Sequence, residues 1–197
     1  VDEDHPKHPI NPYGASKLMV ERILQDAARA HGLRSVTLRY FNAAGADPSG
    51  RIGEAHEPET HLIPNILRSC LARRAACKVF GAQYATPDGT CVRDYVHVHD
   101  LASAHLAALD FMRDRNGAHA FNLGNGAGFT VLEVIRAAEQ VTGRSIAFDR
   151  APRRAGDPEV LVASSAKARQ DLGWTPAFPD IADIIDTSWN WHRRARY

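Results

Sequence analysis

Residues 11–41 read NPYGASKLMVERILQDAARAHGLRSVTLRYF, and the fold assignment grows from this stretch. Asn11 can cap free N–H groups, and Pro12 at the first helical position loses no hydrogen bond, so a helix starts there. Ala15, Leu18, Met19, Ile23, Ala27 and Ala30 recur at steps of three to four residues as far as His31, and Gly32 stops the run. A short connection leads to Ser35–Phe41, which reads as a strand. A helix passing through a tight link into a strand is the repeating unit of α/β proteins.

The same alternation continues downstream. Leu62–Ala75 reads as a helix, Lys78–Gly81 as a short strand, Val92–Val98 as a second strand and Asp100–Arg113 as an alanine-rich helix. His119–Leu123 reads as a strand ending in the turn Gly124-Asn125-Gly126. A helix at Val131–Val141, a strand at Ile146–Phe148, an Arg- and Pro-rich loop over 150–158, and helices near 165–171 and 180–194 complete the pattern. Between Asn42 and Thr60 lies an irregular run rich in Gly, Pro, Asp and Glu, longer than a mere connector needs to be, and such loops carry function.

Composition narrows the classes. With 197 residues, 44% of them hydrophobic and 24% charged, the chain can bury a real core, and neither disorder nor collagen-like repeats fit. No stretch approaches the ~18 uninterrupted apolar residues of a membrane span. Twenty-four Lys+Arg against 23 Asp+Glu leave a formal charge of +1, so no bulk field points to nucleic acid or a membrane, and anion binding must be local. Cys70, Cys77 and Cys91 are odd in number and stand in neither CxxC nor zinc spacing, which indicates a reducing, cytoplasmic setting without a disulfide framework or structural metal. The opening at Val1, with Pro6, Pro9 and Pro12 close behind, reads as a loop entered from upstream, so a fragment is expected.

Tyr13 and Lys17 form Tyr-x-x-x-Lys, one turn apart on one helix face. A free phenol has a pKa near ~10, and a neighbouring ammonium favours the phenolate, so such a pair can make a base for an alcohol; a surface Tyr beside a solvated Lys is the plainer alternative. Asn42, after Tyr40-Phe41 at the expected C-terminal end of a parallel strand, stands where open α/β sheets place ligands, or simply in a turn. Arg93, a charge inside the apolar run Val92–Val96, either pairs with Asp94 or Asp100 or meets an anionic ligand. Arg153-Arg154-Ala155-Gly156-Asp157 puts two forked donors and a carboxylate in one loop, suited to phosphate or to plain solvation. His97-x-His99 on a strand would point both rings to one side, yet third and fourth ligands are lacking at a recognisable spacing, and His5, His8, His56 and His61 fall in loops, so no metal site is expected. Trp174, Trp189 and Trp191 read as packing anchors.

Taken in order, Asn11–Lys17, Leu38-Arg39-Tyr40-Phe41-Asn42-Ala43-Ala44-Gly45, Gly89–Val98, Phe121-Asn122-Leu123-Gly124 and Ala151–Asp157 closely resemble the UDP-glucose 4-epimerase family of the extended short-chain dehydrogenase/reductase superfamily. Pro48-Ser49-Gly50 through His61-Leu62-Ile63-Pro64 narrows the likeness to the 4-epimerases. The Gly-rich dinucleotide-binding unit and the Ser/Thr that precede the Tyr-bearing helix in that family do not occur in these residues. The resemblance therefore implies the C-terminal part of a Rossmann-like doubly wound sheet over 1–41, then a smaller α/β substrate-binding region over 42–197, with 92–115 returning to the Rossmann side.

The resemblance also assigns roles. Tyr13 becomes the catalytic base and Lys17 its partner on the nicotinamide ribose of NAD, while Tyr40 and Phe41 line the cofactor pocket. For the UDP-hexose, Asn42 meets the sugar diphosphate, Lys78 and Phe80 flank the uracil, Arg93 and Arg154 neutralise the diphosphate, and Asp157 takes the uridine ribose. His61 and Leu62 stand where the family usually has Asn-Leu, and Leu161 where residue size is linked to acceptance of N-acetylhexosamines. The implied reaction interconverts UDP-glucose and UDP-galactose in galactose metabolism, by a homodimer for which Leu18, Met19 and Ile23 are interface or core candidates. A related nucleotide-sugar epimerase or dehydratase, or a UDP-binding module without turnover, are the alternatives.

Overall fold

The computed structural model describes residues 1–72, 77–154 and 156–194. Helix α1, Pro12–His31, begins as its sequence dictates: the Asn11 side chain accepts from the Gly14 N–H at 2.8 Å, and Gly32 ends the helix in the left-handed region at φ 66°. The helix buries none of its residues, and Met19, Val20 and Ile23 stand exposed. What fastens it is an ion pair. Arg39 donates to both Glu21 oxygens, each at 2.6 Å, from the end of strand β1, Ser35–Arg39. Burial pushes the Glu21 carboxyl up, but the bonds and charge of Arg39, helped by Lys7, hold it below the usual carboxylate range.

Strand β1 stops at Arg39 rather than Phe41; after a bend, Asn42–Ala44 forms β2. Helix α2, Leu62–Ala72, follows the long loop, and the remainder of the helix expected to Ala75 lies outside the described residues. Strand β3 is Cys77–Phe80.

The strand expected at Val92–Val98 is three things instead. Val92–Arg93 is β4, Tyr95–His97 is β5, and helix α3, Val98–Phe111, starts at once. Asp94 causes the break: it is fully buried, and its two carboxylate oxygens accept the backbone N–H groups of Asn125 and Ala163, both at 3.0 Å. The chain changes sheets at that residue. His97 and His99 therefore do not share a strand face; the His97 ring caps α3 by accepting the His99 N–H.

Strand β6, Ala118–Asn122, pairs in parallel with β1, with Ser35 opposite Ala118 and Arg39 opposite Asn122. Phe129–Thr130 forms β7, a strand too short to show a sequence period, and α4, Val131–Thr142, opens with a Thr130/Glu133 capping box. Strand β8 is Phe148–Ala151, later than the expected Ile146–Phe148, and β9 is Val160–Leu161. Helices α5, Ala166–Leu172, and α6, Ile181–His192, close the fold.

The strands form small sheets. β2 runs parallel to β5 and β3 parallel to β8, while β4 lies between antiparallel β7 and parallel β9. Two apolar cores result. Phe121, Leu123, Leu101, Ala104 and Trp174 join β6, α3 and the segment after α5. Ile66, Leu67, Val134, Ile135, Ile184 and Ile185 join α2, α4 and α6 above β3 and β8. Each large aliphatic side chain so buried contributes about 1.5–3 kcal/mol.

Candidate functional site

A cleft of about 580 Å³ opens between the loop before α2, strand β3, the β4–β5 junction and the loop after β8. Asn42, His61, Leu62, Lys78, Phe80, Arg93, Arg154 and Asp157 all line it, together with Glu59, Thr60, Asn65, Cys91 and Tyr95. Residues spread over more than a hundred positions are brought together by the parallel pairings β2·β5 and β3·β8. A second hollow of about 500 Å³, beside Val160, Ser164 and Arg169, gathers none of the candidate residues.

Of the two sequence readings of Arg93, the pairing with Asp94 or Asp100 does not occur. Arg93 Nη2 donates to Asp157 Oδ1, and its Nη1 to the Val92 carbonyl at 2.8 Å. Asp94 is taken up by backbone N–H groups, and the Asp100 carboxylate by those of Ala177 and Phe178 at 2.8 and 3.0 Å. Arg153 donates to the Asp157 carbonyl at 2.8 Å, which steadies the loop carrying the carboxylate. Arg154 is exposed, with its guanidinium 3.9 Å from the centroid of the Phe80 ring. Lys78 points outward from β3 between buried Cys77 and Val79.

Asn42 is not at the end of β1. It opens β2 in register with Tyr95, and its amide donates to the Asp94 carbonyl at 2.8 Å. Leu161 sits in β9 opposite Arg93, outside the cleft lining.

Glu59, which sequence reading missed, organises the cleft's other wall. Its Oε1 accepts the backbone N–H groups of Thr60 and His61 and faces His61 Nδ1, all at 2.8 Å. Burial works against the charge, yet these bonds hold the carboxyl below the usual range. A single Glu in a loop offers no motif; Asn65, one turn beyond His61 on α2, was findable from the helical period. Cys91 and Tyr95 are poor chemical candidates, because burial pushes both the thiol and the phenol up and away from ionisation.

Tyr13 and Lys17 share a face of α1, as their spacing requires, with Lys17 Nζ 5.1 Å from the Tyr13 ring centroid. Both are exposed, Tyr13 at 73%, and neither lines the cleft. Tyr40 and Phe41, half-exposed in the bend between β1 and β2, likewise stand apart from it. His97 is structural: buried, it stacks on Phe178 at 4.1 Å, and its Nε2 lies 2.9 Å from the Thr187 hydroxyl. Beside the cleft, ligand atoms of Glu54, His56 and His61 lie within 4.8 Å of one another, the one such cluster among the described residues.

Comparison with known proteins shows which chains this one resembles. The UDP-glucose 4-epimerase of Streptococcus mutans is 54% identical over 192 residues, covering 98% of this chain and 58% of its own length. Among solved structures, the UDP-glucose 4-epimerase of Bifidobacterium longum in complex with NAD+ and UDP superposes with a TM-score of 0.92 at 40% identity, over 98% of this chain and 58% of that one. The Brucella ovis UDP-glucose 4-epimerase in complex with NAD gives 0.90 at 46% identity, over 95% and 57%. The chain thus spans somewhat over half the length of the relatives it matches, and its α/β fold is theirs. Residues 1–124 match the NAD dependent epimerase/dehydratase family, and the chain belongs to that family.

Proposed function

We propose that these residues form the substrate-holding part of a UDP-glucose 4-epimerase that interconverts UDP-glucose and UDP-galactose, as its half-identical relatives are named to do. The observation that carries the reading is the cleft itself, where Lys78, Arg93 and Arg154 converge on one hollow beside an aromatic ring. Arg154 and Arg93 hold the diphosphate, Phe80 and Lys78 flank the uracil, Asp157 takes the ribose, and Asn42, His61 and Leu62 border the sugar. Leu161, behind Arg93, tunes the room left for an N-acetyl group.

The residues on α1 and after β1 suit NAD: a phenol and an ammonium one turn apart, and two half-exposed aromatic side chains nearby. When bound, NAD would supply reversible two-electron oxidation at the sugar C4. Tyr13 takes the proton of the 4-hydroxyl and later returns it, and Lys17 supplies the positive charge that favours this transfer while holding the nicotinamide ribose. Tyr40 and Phe41 exclude water from the reacting centre. The nucleotide anchor must outlast release of the hexose, so binding energy belongs on UDP.

Residues 1–41 belong to the cofactor unit and 42–197 to the substrate region, with 92–115 returning to the former. The core that α3 shares with β1 and β6 supports that return, and extends it to β6. The apolar face of α1, with Met19 and Ile23, suits a homodimer contact. Three free, buried cysteines suit a cytoplasmic enzyme of galactose metabolism, and no described helix is long and apolar enough to cross a membrane.

The test is epimerisation of UDP-galactose by the full-length protein with NAD. Tyr13→Phe should lower turnover by about 10²–10⁴-fold while UDP affinity stays unchanged. Absence of turnover with either sugar, or a Tyr13→Phe variant as fast as the parent, overturns the proposal.

A further inference from the structure

The geometry points to a transition-metal site at the rim of the cleft, formed by Glu54, His56 and His61, for a divalent ion of the zinc, cobalt or nickel class. One ligand atom from each side chain lies within 4.8 Å of the others; two bonds of about 2.1 Å span about 4.2 Å at most, so small rotations of these exposed side chains bring all three onto one ion. Two imidazoles and one carboxylate suit these borderline ions over calcium or magnesium, which take oxygen donors. Three protein ligands leave a fourth position open, and all three side chains are near half-exposed, so an ion can enter from solvent.

The His61 ring already has a carboxylate partner that orients it. Glu59 Oε1 lies 2.8 Å from His61 Nδ1, which engages that nitrogen, so an ion would be taken at Nε2; a carboxylate behind a metal-binding imidazole is the usual arrangement. The Glu59 side chain is only 2% exposed, and its Oε2 is buried without a hydrogen-bond partner.

The backbone that carries the ligands is held independently of any ion. Trp191 Nε1 donates to the Glu54 carbonyl at 2.8 Å, and Gly53 lies against the Trp191 ring so closely that a Cβ would come within 2.3 Å of it. Arg68 donates to the His56 carbonyl at 3.2 Å and pairs with Glu57. Asn65 donates to the Glu59 carbonyl at 3.3 Å. Little ordering entropy therefore remains for an ion to supply. The site stands whether or not the cleft binds a nucleotide sugar.

The experiment uses the full-length protein, stripped with chelator, without nucleotide or added NAD. Cobalt(II) chloride is added and visible absorption followed, and zinc chloride is then used to displace it. One equivalent should bind with the intense bands of a low-coordinate nitrogen/oxygen site. His56→Ala and Glu54→Gln should each weaken zinc binding by more than ~10-fold with melting temperatures unchanged, and Glu59→Gln, which also loses some stability, should weaken it by about 10-fold. His31→Ala, at an exposed histidine on α1, should bind like the parent. No binding, binding indifferent to His56→Ala, or a thiolate-to-cobalt charge-transfer band would overturn the proposal.

Discussion

Arg154→Ala tests the cleft most cleanly, because Arg154 is exposed and its recorded contact is the Phe80 ring at 3.9 Å. Losing a cation–π contact at an exposed site costs about 0.5–1 kcal/mol, too little to unfold the chain. The phosphate contact is worth more. A unit charge ~5 Å from the guanidinium gains ~0.8 kcal/mol in a water-like medium and ~3 kcal/mol at an effective dielectric constant of ~20. The cleft is open on one side, which places the loss near ~2 kcal/mol, or about 30-fold in Kd. Arg154→Lys keeps the charge but not the planar stack, so it should lose about 1 kcal/mol, roughly 5-fold. Calorimetric titration of the full-length protein with UDP reads both, and the alanine variant should also show a flatter dependence on salt. A Kd within about twofold of the parent for Arg154→Ala would remove the phosphate from this part of the cleft.

Gly124→Ala should destabilise the fold, since a Cβ there meets Asp94 Oδ2 at 2.3 Å and the Ala163 carbonyl at 2.8 Å; at about 3 kcal/mol the melting temperature should drop roughly 6–12 °C, and an unchanged melt would refute the packing. Glu59, held below its ordinary pKa, contributes stability that is fully present above ~4.3 and is lost as pH falls through the folded value. Glu59→Gln should therefore be less stable than the parent at neutral pH, with the gap closing in acid; a constant gap would mean the charge is irrelevant. His97 is held below its ordinary pKa chiefly by burial, against the pull of Asp100. It stays neutral in the fold while the unfolded chain gains a proton, so stability is lost as pH falls from ~6.5 toward the folded value. Proton NMR of the His97 ring should show a midpoint below that of a free imidazole, and a normal midpoint would count against its buried bonds to Thr187 and His99.

Local signals were legible and distant ones were not. Asn11 and Gly32 bracket α1 with chemistry confined to one turn, so both ends could be read directly. The ion-pair partners read for Arg93 were wrong because its carboxylate partner lies 64 positions away, whereas Asp94 and Asp100 are nearby in sequence but are claimed by backbone N–H groups. The break at Asp94 was hidden for the same reason, as its two donors come from Asn125 and Ala163. Ile146 drew the strand assignment forward: it is apolar and buried in the core, yet its N–H goes to the Glu139 side chain, and pairing begins only at Phe148. The cleft residues were reached through their order along a family pattern, not through spacing. Glu59 belonged to no motif.

The charges of the cleft are not equally available to a ligand. Three cations, Lys78, Arg93 and Arg154, face two carboxylates, Glu59 and Asp157. Asp157 accepts from Arg93, and Glu59 is taken up by the backbone N–H groups of Thr60 and His61 and by the His61 ring. The positive potential left for a diphosphate therefore comes from Arg154 and Lys78, while Arg93 must share itself between Asp157 and the ligand. This ranking is testable by truncating the ligand instead of the protein. Replacing UDP by uridine removes the phosphates, and the loss of affinity should be large in the parent and smaller in Arg154→Ala, with a coupling of about 1–2 kcal/mol between the two changes. Equal losses in parent and variant would show that Arg154 never meets the phosphates, and the anchoring charge would then have to be sought at Lys78.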